Sequence, residues 1–157
     1  MNPDAIRTIL QAIPDPEIPR VSIVDMGMIG EVRVEGDKVQ IELIPTFAGC
    51  AAIPLMVREI TERLKAHEIE AEVRVNYTAS WSPERIQPEG WAALKAAGFA
   101  VPAHLTDDPA DLFEDVACPK CGSTVTSLMS PFGPTACRAL FKCHTCGEAF
   151  ELFKPPV

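Results

Sequence analysis

Six cysteines carry most of the chemistry available to this 157-residue chain, and five of them fall between residues 118 and 146. Cys118 and Cys121 form one C-x2-C pair, Cys143 and Cys146 a second, and 21 residues separate the pairs. Two such knuckles bring four thiolates into a tetrahedron, the closed arrangement zinc favours in structural sites. Gly122 and Gly147 follow the second cysteine of each pair, where a knuckle turn needs a residue at ease with positive φ. Four thiolates also suit a single iron or an iron-sulfur cluster; small closed ribbons favour zinc among these. Cys137 lies outside both pairs and reads either as a small buried residue near Leu140 and Phe141, or as an extra ligand or partner-facing thiol. His144, between the last two cysteines, reads as a knuckle surface residue or as a substitute ligand.

The sixth cysteine, Cys50, stands alone in "PTFAGC", directly before the amphipathic stretch "AAIPLMVREITERL". A thiol at a helix start meets free backbone N–H groups and the positive end of the dipole, which is expected to lower its pKa. The bland alternative is a cysteine filling a gap in the core. Asp15 and Glu17 in "PDPEIP" and Asp25 in "VDMG" are expected at the same end of the sheet, as ligands or proton acceptors beside that thiol, or as ordinary turn residues.

No Ser-His-Asp set, P-loop or G-x-G-x-x-G is present, and the three histidines are scattered at 67, 104 and 144. Residues 1–117 hold 10 Lys+Arg against 20 Asp+Glu, whereas 118–157 hold 4 against 2. So acidic a body repels phosphate backbones and anionic membranes, which argues against nucleic acid and membrane partners and for protein partners. Lys120, Arg138, Lys142 and Lys154 make only a sparse basic patch. No apolar run reaches the ~18 residues of a membrane span. The N-terminus lacks the pattern of a signal peptide, so a cytoplasmic protein with reduced thiols is expected.

These residues need elements to hold them. Asn2 caps a first helix carrying Ile6, Ile9, Leu10 and Ile13 as one stripe, and the prolines of "PDPEIPR" end it. Val32 and Val34, then Val39, Ile41 and Leu43, alternate with polar residues about Gly36-Asp37, which predicts a hairpin. Ile53, Met56, Ile60 and Leu64 predict a helix beginning near Ala51; Val73, Val75 and Tyr77 predict a third strand, and "PEGWAALKAAG" a last helix. The predicted fold is α+β: a small three-stranded sheet with helices on one face over residues 1–100, an acidic linker over 101–117, and a four-cysteine zinc ribbon over 118–157. Within the linker, a single helical turn is expected around Leu112 and Phe113.

The stretch "DPEIPRVSIVDMGMIGEVRVEGDKVQIELIPTFAGC" resembles the small domain shared by SufT and eukaryotic proteins of cytosolic iron-sulfur assembly. With the four-cysteine tail added, residues 3–155 resemble the PaaD family, accessory members of the bacterial phenylacetyl-CoA epoxidase system of phenylacetate degradation. The resemblance implies Cys50 as the reactive thiol and Asp15, Glu17, Asp25 and Thr46 as neighbours in shared motifs. It also implies Cys118, Cys121, Cys143 and Cys146 as metal ligands, and it gives Cys137 added weight. Ala51 stands where family members often have proline, and "WSPER" replaces a W-T-T-D run. Neither a Glu-x-x-His di-iron pattern nor a dinucleotide fingerprint is present, so the chain is not expected to epoxidise by itself. One implied role is maturation or upkeep of an iron or iron-sulfur centre in a partner subunit such as the reductase, with Cys50 as transient cluster ligand. In that role a cluster is shared across a homodimer or with the client, and iron-sulfur assembly proteins are further expected partners. The other is a structural docking subunit in which Cys50 is inert.

Overall fold

In the computed structural model, residues 1–47, 49–104, 108–135 and 137–154 are described. The chain divides into two compact units, Met1–Trp81 with Arg85–Gly90, and Ser82–Glu84 with Trp91–Val157. Among the described residues no helix is long and apolar enough to cross a membrane.

The first unit opens with α1 (Pro3–Leu10), and the Asn2 side chain accepts the Ala5 N–H at 2.8 Å while Pro3 occupies the first turn. The predicted stripe is real: Ile6, Leu10 and Ile13 are buried. Strands β1 (Ile29–Glu35) and β2 (Lys38–Leu43) form the predicted antiparallel hairpin, with Val34 opposite Val39 and Gly36 at φ +62 in the turn. Helix α2 (Ile53–Lys65) then carries the chain to β3 (Glu70–Val75), which pairs parallel to β2 and completes a sheet in the order β1-β2-β3. A parallel neighbour requires a crossover, and α2 supplies it. α1 packs on α2, α1 meets β1 and α2 meets β3. Val39, Ile41 and Leu43 are buried, while Gln40 and Glu42 help line a shallow cleft of about 450 Å³.

Helix α3 (Pro88–Ala96) begins in the first unit and ends in the second. The second unit is built on an antiparallel sheet of β4 (Thr126–Ser130), β5 (Arg138–Cys143) and β6 (Ala149–Phe153), in that order. Its core holds Ala139, Phe141, Phe150 and Leu152 together with Ala100, Val116, Cys118 and Cys143. A 3-10 turn spans Pro109–Phe113, where a helical turn is predicted, and its Leu112 is buried. Ala100 bridges Leu152 in parallel; its N–H bonds the Glu151 carbonyl and its own carbonyl accepts from Phe153. The acidic stretch and the residue before it thus supply core and backbone pairing to the ribbon.

Candidate metal and thiol sites

The four ribbon cysteines come together from two knuckles. Cys118 accepts the Gly122 N–H and Cys143 accepts the Gly147 N–H through their carbonyls, at 2.8 and 3.0 Å, and both glycines have positive φ. All four sulfurs lie within 4.8 Å of one another. Across the knuckles Cys118 and Cys146 are 3.8 Å apart and Cys121 and Cys143 are 3.6 Å apart. A tetrahedron with Zn–S arms of about 2.3 Å has edges of about 3.8 Å, so the donor set fits zinc in number, type and spacing. The amides of Cys146 and Thr145 bring the Cys143 thiol down to about 6. Cys121 feels the Ser123 amide most strongly, yet desolvation and its three sulfur neighbours push it up to about 11.

Two ribbon residues do not join this set. His144 is exposed and its Nε2 meets the Ser127 hydroxyl at 2.7 Å. Cys137 precedes β5, whose far end is Cys143. Six strand residues span about 20 Å, so Cys137 is no additional ligand of the four-cysteine site. It is buried, as the bland reading expects, with Thr135 Oγ1 3.1 Å from its sulfur and its carbonyl accepting from Lys154. Lys154 itself is fully buried, with its ammonium 4.9 Å from the Phe132 ring centre, and burial lowers its pKa against the opposing influence of Cys137. The sparse basic patch is sparser still in the fold: Lys154 is inside, Lys120 pairs with Glu148 and Arg138 with Glu151, and Lys142 is left exposed.

Cys50 is half-buried at the mouth of α2. The helix has Ala52 at its N-cap and so lacks a side-chain cap; the amides of Ala52 and Ile53 act on the Cys50 sulfur instead. The expected depression of the thiol nevertheless fails, and its pKa is raised. Burial is the largest cause, the Ala52 amide opposes it, and the charges of Glu17 and Asp15 add to the rise. Near neutral pH the resting group is the thiol. Asp15 has a structural job as well: its Oδ1 accepts the Glu17 and Ile18 N–H groups at 2.8 and 2.9 Å. Thr46 is half-buried, and just beyond it the Cys50 N–H bonds the Phe47 carbonyl. Thus Asp15 and Glu17 do reach the thiol's surroundings.

Asp25 serves another place. It lines a cleft of about 540 Å³ with Arg7, Gln11, Arg85, Gln87 and Glu89, and its carbonyl accepts the Gln87 N–H. Two residues of the "WSPER" stretch secure that region. Trp81 is buried and donates its indole N–H to the Met26 carbonyl at 2.7 Å, and Arg85 Nε donates to the Gly27 carbonyl at 2.8 Å. The sequence signal is the tryptophan itself, a large side chain with one N–H donor that needs a partner when buried.

Comparison with known proteins bears on both sites. Residues 3–76 match the family described as iron-sulfur cluster assembly protein, and residues 105–154 match the PaaD zinc beta ribbon domain. The chain is 35% identical over 150 residues to an Escherichia coli (strain K12) protein, the D component of what is named "Putative 1,2-phenylacetyl-CoA epoxidase", covering 95% of this chain and 90% of that one. A Bacillus anthracis crystal structure of a domain of unknown function, DUF59, superposes with TM-score 0.55 at 27% identity, over 58% of this chain and 89% of its own. A conserved hypothetical protein of Thermotoga maritima shares the fold at TM-score 0.51 and 21% identity, over 57% of this chain and 89% of that one.

Proposed function

The chain belongs to the PaaD family, and on that premise we propose that it is an accessory subunit of a phenylacetyl-CoA epoxidase which helps install or maintain an iron-sulfur or iron centre in a partner subunit. In this reading Cys118, Cys121, Cys143 and Cys146 hold one structural zinc that folds the ribbon, and Cys50 is the transient ligand of the cargo. The observation that carries the cargo role is the surroundings of Cys50. Burial first, and then the charges of Glu17 and Asp15, raise its pKa, so its sulfur keeps a proton at rest, and the same two charges favour an arriving cation that displaces that proton. A thiol that is neutral when empty and a thiolate when loaded is what a carrier needs, because resting thiolates are oxidised most readily. Cytoplasmic work, where thiols stay reduced, follows from the same chemistry.

The chain does not epoxidise in this reading; partner subunits do. Replacing Cys50 by Ser, co-expressing the variant with the epoxidase reductase and oxygenase subunits, and measuring their iron and acid-labile sulfide tests the role. A drop in iron or sulfide supports it, and unchanged content leaves the docking-subunit reading in its place. The family's epoxidase name and the ribbon's exposed apolar strand support that second reading.

A further inference from the structure

The exposed apolar side chains of the second unit gather along one strand. Val125 and Met129 are 61% and 60% exposed, Phe132 54% and Leu128 40%. All four lie on β4 or within two residues of its ends. β4 is an edge strand: its sheet runs β4-β5-β6, so among the described residues one of its sides has no neighbouring strand. An open edge is a template for pairing, and proteins ordinarily blunt it with charged residues. Here residues 121–137 contain no Asp, Glu, Lys or Arg, in a chain that is 23% charged. A register shift between Leu128 and Ser130 places Met129 at the irregularity, and the ladder resumes at Ser130 opposite Leu140.

From this edge we infer that β4 docks an extended segment of a partner protein, which adds a strand beside residues 125–130 and brings apolar side chains and a carboxylate. Main-chain pairing gives such an interface its affinity and the alternating side chains its selectivity. The carboxylate is called for by the ribbon's cations. Lys120 and Arg138 already have Glu148 and Glu151, at 3.1 and 3.4 Å, and Lys154 is buried. Lys142 is the remaining cation; it is exposed, has no carboxylate partner among the described residues, and pairs in register with Ser127 of β4. An acidic side chain on the incoming strand meets this charge across β4. A second copy of this chain fits less well. Its own β4 offers no carboxylate, and two chains of net charge -8 repel.

The proposal rests on the accessory-subunit reading only for the partner's identity, an epoxidase subunit. Its test uses the zinc-loaded full chain co-expressed with affinity-tagged epoxidase subunits, with binding then measured on the purified components. Met129→Lys, which restores an edge charge, is expected to weaken binding by about tenfold or more, and Lys142→Glu by a smaller factor. Zinc content and melting temperature of both variants show that the ribbon is intact, and Tyr77→Lys on the first unit is expected to bind as the parent does. Unchanged binding by a folded Met129→Lys variant overturns the inference. So does a homodimer that this substitution dissociates, because the occupant is then a second copy. Loss of binding with Met129→Lys, alongside unchanged partner iron with Cys50→Ser, leaves the surface standing and removes the cargo role. If no epoxidase subunit binds the parent chain, the inference is overturned, while the cargo role is still decided by partner iron with Cys50→Ser.

Discussion

The sulfur of Cys118 lies 3.8 Å from that of Cys146, 28 residues further along the chain. That contact joins one knuckle to the other, so an ion held there ties together the chain segments at one end of the ribbon sheet. The ribbon's core is small, and structural zinc supplies on the order of 10 kcal/mol in modules of this kind. Cys146→Ser is expected to lower bound zinc well below one equivalent and to abolish the cooperative melting of the second unit. Metal analysis and circular dichroism check this together. Because the thiols must lose protons to bind, zinc affinity is expected to fall as pH falls from about 8 towards 6, on the general linkage between metal and proton binding.

Cys50 predicts a slow thiol. Its pKa is raised chiefly by burial and then by Glu17 and Asp15, against the pull of the Ala52 and Ile53 amides. Alkylation by iodoacetamide, followed by peptide mass mapping at Cys50, is expected to have a midpoint above that of a free thiol. Glu17→Gln removes the larger of the two carboxylate influences and is expected to shift that midpoint downward. A parent midpoint below neutrality contradicts the assignment of a resting thiol.

His104 and Asp115 give a signed pH dependence. His104 Nε2 sits 3.0 Å from Asp115 Oδ2, and this hydrogen bond raises the imidazole pKa above 6.5. A raised folded-state value means that the pair's stabilisation is fully present below the unfolded pKa and is lost as pH rises through the folded one. Both groups are exposed, so the effect on stability is small. Asp115→Asn keeps a residue type that tolerates the backbone φ of +53 there, and it is expected to move the imidazole titration, followed by NMR, back towards 6.5. An unmoved midpoint contradicts the pairing.

Gly27 is expected to be intolerant of any side chain. Its φ is +69, and a Cβ there would overlap the Arg85 carbonyl, a backbone atom on a segment held by the Arg85-to-Gly27 hydrogen bond. Gly27→Ala is expected to cost about 1–3 kcal/mol, read as a lowered urea midpoint. A midpoint within error of the parent removes that close approach as a structural requirement.

Spacing alone determined the four-cysteine cluster, because a C-x2-C knuckle closes locally and two of them have few ways to share an ion. Local pattern likewise determined α1 with its Asn2 cap, the β1-β2 hairpin about Gly36 and the amphipathic α2, since each buries a stripe set by its own period. The resemblance to known assembly domains, carried by the motif residues from Asp15 to Cys50, supplied the functional expectation. Tertiary structure decided the rest. The state of Cys50 depends on burial and on Glu17 and Asp15, distant in sequence, whose fields add to the loss of water against the helix-mouth amides. It was the strand geometry of β5 that separated Cys137 from the metal ligands, and the fold that turned Asp25 to a different cleft. Lys154 vanished inside and Lys142 stayed outside for the same reason: a linear chain shows which residues carry charge, and only packing decides which of those charges water still reaches.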